Sequence, residues 1–182
     1  MRSELRAFIA NSARQPALAT LRGLVFEPFV HRLLGSGGQF EYQVIDPLQP
    51  GVSIFHFAFD RTSTFPSLDR IGRIEQDVYY APQADNLAAA DSFAVLGEVL
   101  YIFQITVAAK HDVKRAGALD IVNTVEASIG RRGRRLDFVL AFVVPPDRFQ
   151  QYKRQNFVTK ENKKVKLEIV CQQWVINLPL AL

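Results

Sequence analysis

At 182 residues and 20.5 kDa the chain has the length of one domain and enough material for a sizeable core. With 48% hydrophobic, 22% charged and 11% aromatic residues it falls outside the disordered and low-complexity classes, and no apolar run approaches the roughly 18 residues a bilayer span requires. The net charge of +4 is unevenly spread: residues 1–107 hold 8 Lys and Arg against 11 Asp and Glu, whereas residues 108–182 hold 14 against 7, which points either to a polyanionic partner or to a solvated positive face.

In chain order, residues 1–15 read as a polar N-terminal arm or helix, ahead of a single domain over 16–182. The opening residues alternate in charge and carry no classical signal peptide. Residues 17–34 predict a mostly buried helix, with apolar positions 18, 21, 25, 29 and 33 at helical spacing and Gly35 as its stop. Pro28 inside that pattern predicts a kink or restart. Residues 39–46 and 52–59 alternate with period two around the turn residues Asp46-Pro-Leu-Gln-Pro-Gly51, the pattern of a hairpin. Residues 60–77 are polar and read as irregular, and short strands are expected at 78–81 and 90–96.

The most informative pair is Asp91–Leu96 and Val99–Val107, separated by Gly97-Glu98. Gly at the first of two loop positions marks a type II′ hairpin. That register places Asp91 opposite Gln104, Phe93 opposite Ile102 and Val95 opposite Leu100. Asp91, Gln104 and Thr106 then project from one side of an otherwise apolar hairpin. Residues 112–129 predict a helix, and Gly130-Arg-Arg-Gly-Arg-Arg135 an exposed basic loop. Residues 136–144 are the most strand-like run and read as a central strand buried on both faces. A polar helix or loop over 147–164 and a last strand over 165–176 complete an α/β domain with helices against a mixed sheet.

Several chemistries are excluded. No Gly-Lys dipeptide occurs, hence no P-loop and no nucleotide cofactor; no Gly-x-Ser-x-Gly elbow occurs either. Cys171 stands alone in a strand-like segment and reads as a small core residue. With one Cys and the scattered His31, His56 and His111, a structural zinc site is not expected; His56 reads as a partly buried structural residue in an aromatic strand. Carboxylates and cations remain. Glu27 on the first long helix, Asp91 at a strand start, and Gln104 and Thr106 on its partner strand, with Lys110 and His111 following, fit metal-dependent phosphodiester cleavage. There, hard oxygen ligands hold Mg²⁺ and a nearby ammonium orients water. The same residues also fit a bland reading, with Asp91 as a strand-end cap and Gln104–Thr106 as an ordinary cross-strand polar pair.

Tyr79-Tyr-Ala-Pro82, Asp91-Ser-Phe and Tyr101-Ile-Phe-Gln-Ile-Thr106, with His111 close behind, resemble the C-terminal domain of Crinkler and RHS-like effector proteins. The flanks Gly23-Leu-Val-Phe-Glu27, Phe142-Val-Val-Pro145, Tyr152-Lys-Arg-Gln155 and Gln173-Trp-Val-Ile-Asn-Leu extend the resemblance over roughly residues 20–178. It implies a restriction-endonuclease-like core of the PD-(D/E)XK superfamily, in the order α–β–β–β–α–β, and virulence action in a host nucleus. It also implies a site in which Glu27, Asp91 and Gln104 hold Mg²⁺ and Thr106 stands where the catalytic Lys normally sits. Thr cannot replace an ammonium, so Lys110 or Lys114 would have to supply the charge. The family's P-loop NTPase partner and N-terminal header have no counterpart here, which implies a short member or an excised domain. Two functions follow as expectations. The first is a nucleus-acting effector domain that binds DNA, through Arg131, Arg132, Arg134, Arg135 and Lys114, with Mg²⁺-dependent cleavage of that DNA left open. The second is a catalytically inactive nuclease fold that acts by binding a host nuclear protein. No membrane partner is expected.

Overall fold

The structure, a computed structural model, describes residues 2–45, 51–83, 87, 89–129, 136–167 and 169–178. Its centre is β8 (Asp137–Val144), whose residues from Phe138 onward are all buried. This strand runs parallel to β6 (Val99–Ile105) on one side and to β11 (Cys171–Asn177) on the other. Burial on both faces is what a run of Val, Phe, Leu and Ala without alternation predicts. Outward from β6 come β5 (Ser92–Leu96), β4 (Val78–Pro82) and β3 (Arg61–Phe65); outward from β11 come β1 (Gly38–Val44) and β2 (Ser53–Phe57). The result is one eight-stranded mixed sheet.

The β5–β6 register is the one the Gly97-Glu98 turn predicts, with Phe93 opposite Ile102 and Val95 opposite Leu100. Gly97 has φ +58 and no other residue of that turn has a positive φ, as a type II′ turn requires. The β1–β2 hairpin also forms, pairing Phe40 with Phe55; its turn residues 46–50 lie outside the described residues. β3 corrects the irregular reading of 60–77. Arg61-Thr-Ser-Thr-Phe65 has no continuous apolar face, yet it pairs in parallel with β4 because that strand would otherwise leave its edge open. His56 is corrected too: it lies on the outer face of edge strand β2 and is exposed, while Phe55 and Phe57 turn inward.

The sheet is strongly curled. β2 and β3 form its two edges, yet only residues 58–60 join them. Such a link spans at most about 14 Å, whereas the edges of a flat eight-stranded sheet stand roughly 34 Å apart. The rings agree: Phe57 on edge strand β2 packs 5.3 Å from Phe103 on β6, and Phe59 packs 5.4 Å from Tyr79 on β4. The concave face encloses α2 (Ala19–Gly35), which buries Phe26, Phe29, Val30 and Leu34 against Tyr79, Tyr101, Phe103 and Val143. At Gly37, with φ +69, an added Cβ would meet the Phe57 carbonyl oxygen at 2.7 Å, so the closure of the curl requires glycine there. The helix runs unbroken through Pro28, against the expected restart. Leu24, whose carbonyl loses its partner at the proline, lies on the exposed side of the helix. α1 (Arg2–Asn11) lies on α2, with Ile9 fully buried.

The convex face carries α3 (Arg115–Ile129), which buries Ala118, Ile121, Val122 and Val125 against Ile102, Leu140 and Phe142. The predicted helix start at 112 is corrected, because β7 (Val113–Lys114) pairs in parallel with β9 (Phe157–Val158) instead. The polar stretch before the last strand holds the short helix α4 (Pro146–Phe149), β9 and β10 (Lys164–Val165). β10 returns antiparallel to β9, so the expected strand over 165–176 divides into β10 and β11. Cys171 is half-buried against the convex-side core, which pushes its thiol up to about 12.

Candidate functional site

The β5–β6 register puts Asp91 and Gln104 in direct contact. The Asp91 N–H donates to the Phe103 carbonyl at 2.9 Å, and Gln104 Nε2 donates to Asp91 Oδ2 at 3.1 Å. The same oxygen accepts the Ile105 N–H at 2.5 Å. Gln104 is almost fully buried. Burial pushes the Asp91 carboxyl up to about 7, with the Glu27 charge adding to the rise and the Ile105 N–H opposing it.

Glu27 reaches this pair from elsewhere than expected. By alternation Gln104 shares the convex face with Leu100 and Ile102, whereas α2 covers the face of Tyr101, Phe103 and Ile105. Glu27 on α2 faces His31, one turn on, with Glu27 Oε1 3.8 Å from His31 Nε2. His31 Nδ1 lies 2.8 Å from the Tyr79 hydroxyl, which is hydrogen-bonded to Ser92 Oγ at 2.7 Å. Which of Nδ1 and the Tyr79 hydroxyl donates in the His31–Tyr79 bond follows the imidazole tautomer. Tyr79 is fully buried, and burial raises its phenol far above the usual range. The chain Glu27–His31–Tyr79–Ser92 thus reaches the residue next to Asp91. Among the described residues no three His, Cys, Asp or Glu side chains converge as metal ligands do. In this arrangement Gln104 offers Asp91 its amide N–H and not its oxygen, the atom that the expected Mg²⁺ set would use.

The remaining candidates fall into two groups. Thr106 is buried; its N–H donates to the Val143 carbonyl and its Oγ1 accepts the Ala108 N–H at 3.1 Å, so it shapes the turn that leaves β6. Lys110 is exposed and pairs with Asp112 at 3.1 Å. The His111 N–H donates to Gln155 Oε1 at 2.7 Å, and burial lowers its imidazole. Lys114 sends its ammonium into the turn after β9, to Asn162 Oδ1 and to the Thr159 and Lys160 carbonyls. Arg131, Arg132, Arg134 and Arg135 lie outside the described residues.

Three features escape sequence reasoning. The His31–Tyr79–Ser92 chain joins residues 31, 79 and 92; only the i,i+4 spacing of Glu27 and His31 hints at it. Arg22, 2% exposed, donates to both oxygens of Asp147 and from Nε to the Ile9 carbonyl. Beside it Arg148 Nε donates to the Val107 carbonyl at 3.2 Å, so these residues lash α1, α2 and α4 to the segment that follows Thr106.

The chain matches no protein-family model, no curated protein and no solved structure at the level that marks relatedness. Fold and site therefore define a class by themselves: an α/β protein with a large curled mixed sheet flanked by helices and a buried carboxylate–amide pair at one strand end.

Proposed function

We propose that this chain is a restriction-endonuclease-like domain of the Crinkler effector class that binds DNA in a nucleus without cutting it. The observation that carries the reading is the Asp91–Gln104 pair at the β5–β6 end, with α2, β4, β5, β6, α3 and β8 following one another in the chain once β1–β3 after α2 and β7 before α3 are set aside. In that order, β4, β5 and β6 form an antiparallel meander and β8 returns parallel to β6. Three features favour binding over cleavage. Gln104 points a donor at Asp91, Thr106 spends its hydroxyl on the backbone, and the nearest following ammonium, Lys110, is engaged with Asp112. The excess of cations over residues 108–182 favours a polyanion as partner.

A second reading, Mg²⁺-dependent cleavage with Asp91, Gln104 and Glu27 as ligands, is favoured by one observation. The half-buried Asp91 carboxyl sits near the charge of Glu27 with its acidity suppressed, and a cation would relieve both. The test is incubation with supercoiled plasmid in Mg²⁺ and in EDTA, with a gel-shift assay in parallel. Salt-sensitive binding without nicking is expected, unchanged in Asp91→Asn. Nicking that needs Mg²⁺ and disappears in Asp91→Asn would establish the second reading instead. Absence of binding at low salt would overturn DNA as the partner and leave a host nuclear protein.

A further inference from the structure

We propose that the β9–β10 ribbon is the surface that grips the phosphate backbone of duplex DNA. The proposal rests on the reading of the partner as DNA, and it is independent of whether the chain cuts. Residues 153–167 contain Lys153, Arg154, Lys160, Lys163, Lys164 and Lys166 against the single acidic Glu161, and all six cations are exposed. Among the described residues none of the six is held in an ion pair, unlike Lys110, Arg22 and Arg61, which have carboxylate partners.

The backbone aims these charges. β9 and β10 pair Val158 with Lys164 and Phe157 with Val165. Val165, Leu167, Ile169 and Cys171 pack against the convex-side core, so alternation turns Lys164 and Lys166 outward. The connecting turn is closed by Thr159 N–H to Lys163 O at 2.8 Å and Asn162 N–H to Thr159 O at 3.1 Å, with the Lys114 ammonium on its carbonyls. Lys114 is therefore the internal brace of the ribbon and not a phosphate contact. The base is fixed by Gln173, whose side chain accepts the Gln155 N–H at 2.8 Å and donates to the Gln155 carbonyl at 2.9 Å, with both residues almost fully buried. A two-stranded ribbon also has the width that a major groove admits. Arg154 and Lys166 line one cleft with Cys171, which the parallel registers set level with Leu100 near the start of β6, so these cations stand toward the sheet end away from Gln104.

The test is fluorescence anisotropy with a labelled mixed-sequence DNA duplex over a salt series. The wild type is compared with the quadruple variant Lys160→Gln, Lys163→Gln, Lys164→Gln, Lys166→Gln, and with a second quadruple variant in which Arg131, Arg132, Arg134 and Arg135 become Gln. Each lost phosphate contact lowers the slope of log affinity against log salt by about 0.9. The ribbon variant should therefore flatten that slope by about 3 to 4 and weaken binding at least about tenfold at low salt. The substituted side chains are exposed, so the melting temperature should be retained. If the quadruple variant unfolds, Lys164→Gln and Lys166→Gln singly should each flatten the slope by about 1. An unchanged slope in a folded ribbon variant overturns the proposal, and so does a loss of duplex binding confined to the arginine variant; both leave DNA as the partner. Loss of binding to phosphatidylserine vesicles but not to duplex would overturn it in favour of a membrane surface. A wild type that binds no duplex overturns this proposal and the DNA reading together, whereas the presence or absence of nicking bears on cleavage alone.

Discussion

Replacing Asp91 by Asn should change how stability depends on pH, and the sign is fixed by the site. In the folded protein burial and the Glu27 charge lift the Asp91 carboxyl from 3.8 to about 7. The folded state therefore holds a proton that the unfolded chain releases at lower pH. Stability from this group is complete below about pH 4, declines as pH rises and is lost once pH passes 7. A rise of about three pH units at about 1.36 kcal/mol each gives a loss of about 4 kcal/mol. Asn is neutral throughout and its carbonyl still accepts the Ile105 N–H. Asp91→Asn should therefore match the wild type near pH 4 and exceed it by about 4 kcal/mol at pH 8. For a chain of this length that is a gain of roughly 10 °C in melting temperature. Urea titrations followed by Trp174, the only tryptophan, which is buried and stacked on Tyr42, would read both proteins. Titrating groups that do not interact with Asp91 are shared and cancel in the difference. Parallel pH curves for the two proteins would refute the reasoning. Mg²⁺ supplies a further arm: a cation bound at Asp91 would favour the ionised carboxylate and remove the decline, whereas a site that does not hold the ion leaves the wild-type curve unchanged.

Four other substitutions test the packing of the fold. Asp147→Ala leaves the Arg22 guanidinium buried without its counter-charge and should cost about 3 kcal/mol, whereas Arg22→Met, which removes the buried charge itself, should cost less than half of that; equal losses in chemical denaturation would show that the pair is not desolvated as it stands. Gly97→Ala should cost about 1 kcal/mol, since only its φ of +58 opposes a side chain and nothing lies within 4 Å. Gly37→Ala should cost about 3 kcal/mol or more by the same measurement, because its Cβ would also drive into the Phe57 carbonyl.

What the sequence determined by itself is what short-range chemistry controls. The Gly97-Glu98 loop has a single favourable hairpin geometry, so the whole β5–β6 register, and with it the meeting of Asp91 and Gln104, follows from two residues. The unbroken apolar run ending at Val144 demands burial on both faces, and only a central strand offers it. Tertiary structure decided what depends on partners distant in sequence. Arg61-Thr-Ser-Thr-Phe65 becomes a strand because β4 offers an open edge, and edge pairing needs no apolar pattern. The His31–Tyr79–Ser92 chain exists because the curl of the sheet brings α2 over β4 and β5, a closure that no local periodicity encodes. Lys114, whose charge in the sequence looks free for a phosphate, is drawn into the turn after β9 because three oxygen acceptors converge there. A cation's availability is thus a property of its folded neighbours, while the hairpin that places Asp91 is a property of its own few residues.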